Sequence, residues 1–115
     1  MGKNRNRLNI VAAILEAAKG GASKTHIMYQ ANLSFSLLEK YLGMTYRSGL
    51  IERRSFKYHT TQRGKDFLKT YWQFEERYTK AQTMLQSLGH EREQLTKSFE
   101  SSQKSFKSNP ILESE

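Results

Sequence analysis

The side chains whose spacing suggests chemistry in this sequence are cations, and the densest group is Arg53, Arg54 and Lys57. Three positive charges within five residues are suited to bind phosphate oxygens, because each side chain carries a stable charge and several N–H donors. Charges on a strand also prevent unwanted pairing of its edge. The excess of cations in the surrounding sequence favours phosphate contact.

The positive charge of the chain lies in its first part. Residues 1–66 contain twelve Lys and Arg against four Asp and Glu, so they hold the whole formal net charge of +8. Residues 67–115 contain seven residues of each sign, and their sum is zero. This division predicts a polyanion-binding head followed by a segment with another task.

Catalysis and metal binding have little support in the sequence. There are no cysteines, which excludes disulfides and thiolate metal sites and favours an intracellular location. The histidines, His26, His59 and His90, are far apart and have no carboxylate or second histidine at ligand spacing. No nucleophile has a nearby base, and no run approaches the roughly 18 apolar residues that span a bilayer. We therefore expect a cytoplasmic, nucleoid-associated protein that is not an enzyme and has no cofactor, metal, small-molecule ligand or membrane contact.

Short helices are predicted in the first part of the chain. The first is expected over residues 5–19, where a Gly-Gly pair provides the left-handed stop that helix ends favour. Ser23 is suited to cap a second helix over residues 24–31. A third helix is expected over residues 35–48, ahead of another glycine.

The pattern changes after the third helix. The next segment is too short for another helix and is rich in β-formers, which predicts a hairpin with strands near residues 50–54 and 57–60. Its turn is expected at Ser55 and Phe56, with the cations around the tip. Thr61 is suited to cap a long helix that begins directly after it. The apolar repeat extends this helix to about Phe99, and Phe106 is the alternative end.

That long helix repeats an apolar residue at alternating spacings of four and three. The repeat is typical of a coiled coil, which predicts pairing of two copies of the chain. Arg92 interrupts the seam, and Gly89 beside it weakens the helix, because a mid-helix glycine costs about 1 kcal/mol relative to alanine. The residues predicted to form the dimer are Phe67, Tyr71, Phe74, Tyr78, Ala81, Leu85, Leu88, Leu95 and Phe99.

The direction of pairing and the domain bounds follow from the same pattern. Bulky aromatics do not suit a narrow parallel dimer, whereas antiparallel pairing would place them opposite smaller partners. Both directions stay open on the sequence alone. The predicted divisions are a head over residues 1–66, a dimerisation helix over 67–100, and a frayed or disordered, serine-rich tail over 101–115.

The order helix, helix, tight turn, helix, hairpin is that of a winged helix-turn-helix. Residues 21–35, GASKTHIMYQANLSF, closely resemble the second helix and turn of archaeal winged-helix DNA-binding proteins. Residues 41–42, 48–51 and 60–64, which read YL, SGLI and TTQRG, are similar to later motifs of that family in the same order. The resemblance covers about residues 8–68.

The resemblance implies a mainly α fold with a small β-hairpin, a winged helix-turn-helix followed by a long C-terminal coiled-coil helix. Members of this family are small archaeal chromatin-associated or regulatory proteins that dimerise through an antiparallel coiled coil. In such proteins the third helix enters the major groove and the wing contacts the flanking backbone. This chain departs from the pattern at Leu37 and Gly43, where polar or charged residues are usual, and at Arg47, where an acidic residue is common.

The third helix is predicted to have two faces. Leu38, Leu42 and Tyr46 are spaced at four and are expected to face the core. The polar side is expected to reach base edges and phosphates, with help from the start of the second helix and from the hairpin. The predicted DNA contacts are Ser23, Lys24, Thr25, Ser34, Ser36, Lys40, Arg47, Arg53, Arg54 and Lys57.

Two functions from different classes are compatible with this pattern. The leading hypothesis is a dimeric double-stranded DNA-binding protein, sequence-specific or architectural, which acts as a transcriptional regulator or a chromatin-associated protein. The alternative is a winged-helix protein-interaction module that uses the long helix as its docking surface. The alternative predicts a stable protein partner and no binding to any duplex.

Overall fold

A computed structural model describes residues 5–106, and the side chains of residues 105 and 106 lie outside that description. It confirms a mainly α chain with one hairpin and the element order of a winged helix-turn-helix. The elements are α1 (Arg7–Ala17), α2 (Lys24–Gln30), α3 (Phe35–Arg47), β1 (Ile51–Arg54), β2 (Lys57–Thr60) and α4 (Gln62–Phe106).

The chain divides into two compact units, and the first ends at Glu75. We call the described part of the first unit, residues 5–75, the head, and residues 76–106 the distal segment of α4. The head defined in this way includes the first turns of α4, and the predicted domain limits at residues 66 and 100 stay predictions. Helix α4 continues through residues 101–106, as in the longer of its two predicted lengths, while residues 107–115 of the predicted tail lie outside the described residues.

The helix starts follow from side-chain caps. The Asn6 side chain accepts a hydrogen bond from the Asn9 backbone N–H at 2.8 Å, and the Asn9 side chain accepts one in return from the Asn6 backbone at 3.3 Å. Ser23 caps α2 as predicted by accepting from the His26 N–H at 3.1 Å. Each cap satisfies backbone donors that no helical carbonyl reaches. The capped helices therefore begin where a polar side chain can turn back onto the chain.

The core of the head lies between α1, α2, α3, the base of the hairpin and the first turns of α4. Tyr46 does not belong to it, since 54% of its surface is exposed, and its predicted core position was wrong. Residues spaced at four along a helix lie about 40° further around its axis at each step. Tyr46, the third residue of this row, therefore lies outside the buried face. The buried face of α3 consists of Leu38, Tyr41, Leu42 and Thr45.

The hairpin is antiparallel, with Ile51 opposite Thr60 and Arg54 opposite Lys57. Its base is attached to the loop before α2, because Ala22 and Tyr58 exchange backbone hydrogen bonds of 2.9 and 2.8 Å. These bonds fix the hairpin at one end and leave its tip beyond the core.

The start of α4 packs directly on backbone. Thr61 caps the helix as predicted by accepting from the Gly64 N–H at 3.1 Å, and its hydroxyl donates to the Gly49 carbonyl at 2.7 Å. A Cβ atom on Gly64 would lie 2.2 Å from the Leu50 carbonyl oxygen. Gly64 is therefore required for this close approach.

Candidate nucleic-acid interface

The outward face of α3 lies opposite its buried face and follows the helical period. It carries Ser36, Lys40, Gly43 and Arg47, at spacings of four, three and four. The side chains of Ser36, Lys40 and Arg47 are exposed. Three of the predicted DNA contacts therefore share one stripe, with a glycine in its middle.

Gly43 leaves room for the arginine one turn later. A Cβ atom at this position would lie 3.2 Å from the Arg47 Nη1 atom, so the guanidinium lies close to the glycine. Lys40 lies about two turns before Arg47, and its Nζ is 5.6 Å from the centre of the Tyr41 ring. Arg47 and Lys40 together make the outward face cationic on both sides of Gly43.

The start of α2 is engaged in contacts within the head. The Lys24 ammonium pairs with the Glu39 carboxylate of α3 and lies 5.6 Å from the centre of the Phe35 ring. These contacts join the two helices of the helix-turn-helix. Glu39 is the partner that the sequence did not reveal, because the pair joins residues fifteen positions apart. A DNA contact by Lys24 stays a prediction.

The predicted serine contacts divide by role. The Ser23 and Ser34 hydroxyls accept backbone hydrogen bonds at 3.1 and 3.2 Å and so act as helix caps. Thr25 and Ser36 are exposed and carry no capping hydrogen bond. Ser36 is the serine that lies on the outward face of α3.

The wing, residues 51–60, carries its cations on exposed positions. The Arg53 guanidinium lies 5.8 Å from the centre of the Tyr58 ring, and the Arg54 Nε pairs with Glu52 at 3.2 Å. Lys57 is exposed. Since both recorded contacts are at the surface, they hold the cations weakly and leave them accessible to a phosphate.

The three elements meet at one depression of about 300 Å³. It is lined by Lys24 from α2, by Glu39 and Gly43 from α3, and by Arg53 from the wing. Tyr46, which is displaced from the core, also lies on its wall. The fold thus brings together cations that lie almost thirty residues apart in sequence.

Two of the predicted dimer contacts belong to the head. Phe67 packs against its core, and Tyr71 is only 7% exposed and accepts a hydrogen bond from the Asn9 amide. Burial raises the pKa of the Tyr71 hydroxyl above its usual value of 10.0, although the Asn9 hydrogen bond acts in the opposite direction. We therefore assign Tyr71 to the core, because its ring has little surface left to offer a second chain.

The remaining seam positions are exposed on the single chain. Apolar side chains repeated along one stripe of a helix are typical of a surface that another helix covers. Pairing through them stays a prediction. The exposed positions are Phe74, Tyr78, Ala81, Leu85, Leu88, Leu95 and Phe99.

Two kinds of site are absent from the described part of the chain. Within it, no group of His, Asp and Glu is arranged to hold a metal ion. None of its helices has both the length and the apolar character needed to cross a membrane.

These features define the class of the protein. The chain belongs to the winged helix-turn-helix family, whose model matches residues 4–79.

Two particular proteins are similar to it. The uncharacterized protein MJ0287 of Methanocaldococcus jannaschii is 32% identical over 78 residues, which cover 62% of this chain and 80% of that protein. The crystal structure of Sso10a-2, a DNA-binding protein from Sulfolobus solfataricus, matches with a TM-score of 0.59 at 21% identity. That match covers 73% of this chain and 96% of Sso10a-2, so the two proteins share a fold.

Proposed function

We propose that this chain is a homodimeric double-stranded DNA-binding protein of the nucleoid, with α3 in the major groove and the wing on the flanking backbone. The observation that carries the proposal is the depression lined by Lys24, Gly43 and Arg53. Lys24 from α2 and Arg53 from the wing are cations from separate elements on one concave surface, which suits a polyanion that contacts both of them and competes with Glu39 for Lys24. Membership of the winged helix-turn-helix family and the DNA-binding description of Sso10a-2 support the same proposal.

The outward face of α3 suits the major groove in size and charge. The groove is about 12 Å wide and admits one helix. Gly43 adds no side chain to this face, and the Arg47 guanidinium lies in the space beside it. Lys40 and Arg47 on either side of it then reach phosphates or guanine edges.

The composition of this face favours an architectural role over strict sequence reading. The outward stripe holds two cations, one serine and one glycine, and it has no Asn or Gln to recognise adenine. Most of its contacts would go to phosphates, which carry no sequence information directly. We therefore favour a chromatin-associated protein that binds many sequences over a regulator of a single operator.

Dimerisation would link two heads, each with a low affinity for DNA, so that both can bind the same duplex. An antiparallel pair with Leu85 of one copy against Leu88 of the other would also place Ala81 opposite Arg92. The aliphatic stem of Arg92 could then cover the small alanine while its guanidinium reaches water, which explains a cation on an apolar seam. Linked heads bind at high effective concentration once the first is bound.

Salt dependence of binding tests the DNA contact. We expect binding of a labelled mixed-sequence duplex, followed by fluorescence anisotropy, to weaken steeply with salt as counterions are released. Lys40→Ala and Arg47→Ala should each weaken binding and lower the log–log salt slope by about 1. Lys97→Ala removes an exposed cation of the distal segment and serves as the matched control.

Two outcomes would contradict this proposal. Affinity that does not change with salt would exclude phosphate contact as its source. A protein that binds no duplex at low ionic strength, but holds a stable protein partner, would favour an interaction module instead.

A further inference from the structure

The wing tip presents an aromatic ring to water. Phe56 is 84% exposed, the largest exposed fraction among the big apolar side chains that the structure describes. A phenylalanine in this position contributes almost nothing to the core of its own chain, and its exposure carries a cost in water. Its role is therefore to be sought in contact with another molecule.

The other wing aromatic already attaches the hairpin to the head. Tyr58 is half-buried, packs against the core and exchanges backbone hydrogen bonds with Ala22. The next anchor is Thr60, whose hydroxyl donates to the Leu15 carbonyl at 2.6 Å. With these contacts at its base, the hairpin does not need Phe56 to stay in place.

Phe56 lies in the two-residue turn of the hairpin. Ser55 and Phe56 are the two residues between the paired Arg54 and Lys57, and Ser55 has a positive φ of 57°. A positive φ at the first central position is the pattern of a tight type II′ turn, which matches the twist of the strands. The ring is thus held at the end of a short, well-defined turn.

The surroundings of the ring determine which partner suits it. Arg54 and Lys57 flank it on paired strands, and Arg53 precedes them on β1. Glu52 is the single acid of the hairpin and is paired with Arg54. An apolar ring among cations matches a DNA groove, because phosphates line both sides of the groove and an opened base step offers apolar base faces to the ring.

We propose that Phe56 is a wedge that enters the minor groove beside the α3 contact, partly unstacks one base step and bends the duplex. This rests on the proposed function and adds a deformation step to it. Apolar wedges of this kind kink DNA by about 20–90°. Pyrimidine–purine steps such as TA unstack most readily, so the wedge would favour them without a hydrogen bond to any base.

Bending and base unstacking test the wedge directly. The probe is a short duplex with one central TA step, end-labelled for energy transfer and carrying 2-aminopurine at that step. The wild-type protein should shorten the end-to-end distance and raise the 2-aminopurine fluorescence. Phe56→Ser should still bind, about tenfold more weakly because a stacking contact is lost, and should leave the duplex straight.

Two further variants separate the wedge from a general loss of apolar surface. Phe56→Leu keeps an apolar side chain at the tip and should retain most of the bend. Tyr29→Ala removes another ring, 75% exposed and outside the wing, and should bend the duplex as the wild type does.

Each outcome decides the question. Equal bending by wild type and Phe56→Ser, or binding by the wild type without bending, would overturn the wedge and leave the proposed DNA binding intact. Failure of the wild type to bind the duplex at low salt would overturn both. Loss of bending in Phe56→Ser with binding retained would support the wedge.

Discussion

Residues 62–75 and the distal segment belong to the same helix, α4, but they lie in different surroundings. In the first, Leu68 and Tyr71 are 3% and 7% exposed because they pack into the head. In the second, every described side chain is exposed. The apolar residues of this one helix thus belong to the core of the head at Leu68 and Tyr71. In the distal segment the same repeat forms a stripe that is exposed on the single chain. Periodicity predicts that a side chain will be buried, and the fold decides which partner buries it.

Two glycines in this helix show the same contrast. A Cβ atom on Gly64 would meet the Leu50 carbonyl at 2.2 Å, whereas a Cβ atom on Gly89 would have no neighbour within 4 Å. The first glycine is required by tertiary packing. No packing contact on the single chain requires the second glycine. Its only cost there is the low helix propensity of glycine.

The largest expected effect comes from adding a methyl group at the first of these positions. Gly64→Ala should destabilise the head by about 3 kcal/mol, since the backbone carbonyl that it meets cannot rotate away. A head of this size has few kcal/mol to lose. Urea denaturation followed by circular dichroism would measure the loss. An unchanged midpoint would contradict the close approach of α4 to Leu50.

The next effect tests whether a second copy covers the distal segment. Leu85→Ala should weaken the dimer by about 2 kcal/mol over the two copies, roughly thirtyfold in Kd. Sedimentation equilibrium would measure this dissociation. Gln86→Ala changes an exposed neighbour outside the seam and should leave Kd unchanged. A wild-type protein that is monomeric at all concentrations would contradict pairing.

A smaller effect of opposite sign is expected at the second glycine. Gly89→Ala should stabilise the helix by about 1 kcal/mol, because alanine has the higher helix propensity and the new methyl group meets open space. The thermal midpoint of the circular dichroism signal should rise. A fall in that midpoint would show that the glycine accommodates a close neighbour from a partner chain.

The smallest effect concerns the pH dependence of the head. The folded-state pKa of Tyr71 is raised, so the folded state holds this proton more tightly than the unfolded state. Its contribution to stability is complete below pH 10.0, the usual tyrosine value, and is lost as pH rises through the folded-state pKa. Tyr71→Phe should therefore lose less stability than the wild type on going to alkaline pH.

Denaturation at neutral and alkaline pH would measure this difference. The control is Tyr29→Phe, the same change at a tyrosine that is 75% exposed, and it should lose stability at alkaline pH as the wild type does. An identical alkaline loss in Tyr71→Phe and the wild type would contradict the assignment of Tyr71 to the core.

Much of the head was predictable because its signals are local. Ser23 and Thr61 cap the helices that follow them, as predicted, and the strands of the hairpin lie within a residue of their predicted bounds. Caps and turns depend on residues a few positions apart, so their signals are present in the sequence itself.

The candidate site was only partly predictable. Lys40 and Arg47 follow from the period of α3, but the pairing of Lys24 with Glu39 joins two helices and has no sequence signal. Phe56 and Tyr46 show the same limit. Their exposure depends on whether another element reaches them, which neither residue type nor spacing determines.

The sequence by itself determined the division of charge, the element order and the apolar stripe of α4, because each arises from composition or from contacts a few residues apart. The tertiary structure decided that Tyr71 belongs to the head, that Gly64 must be a glycine and that Phe56 projects into water. Those outcomes depend on which distant segments pack together. A side chain is buried only where the fold brings it a neighbour.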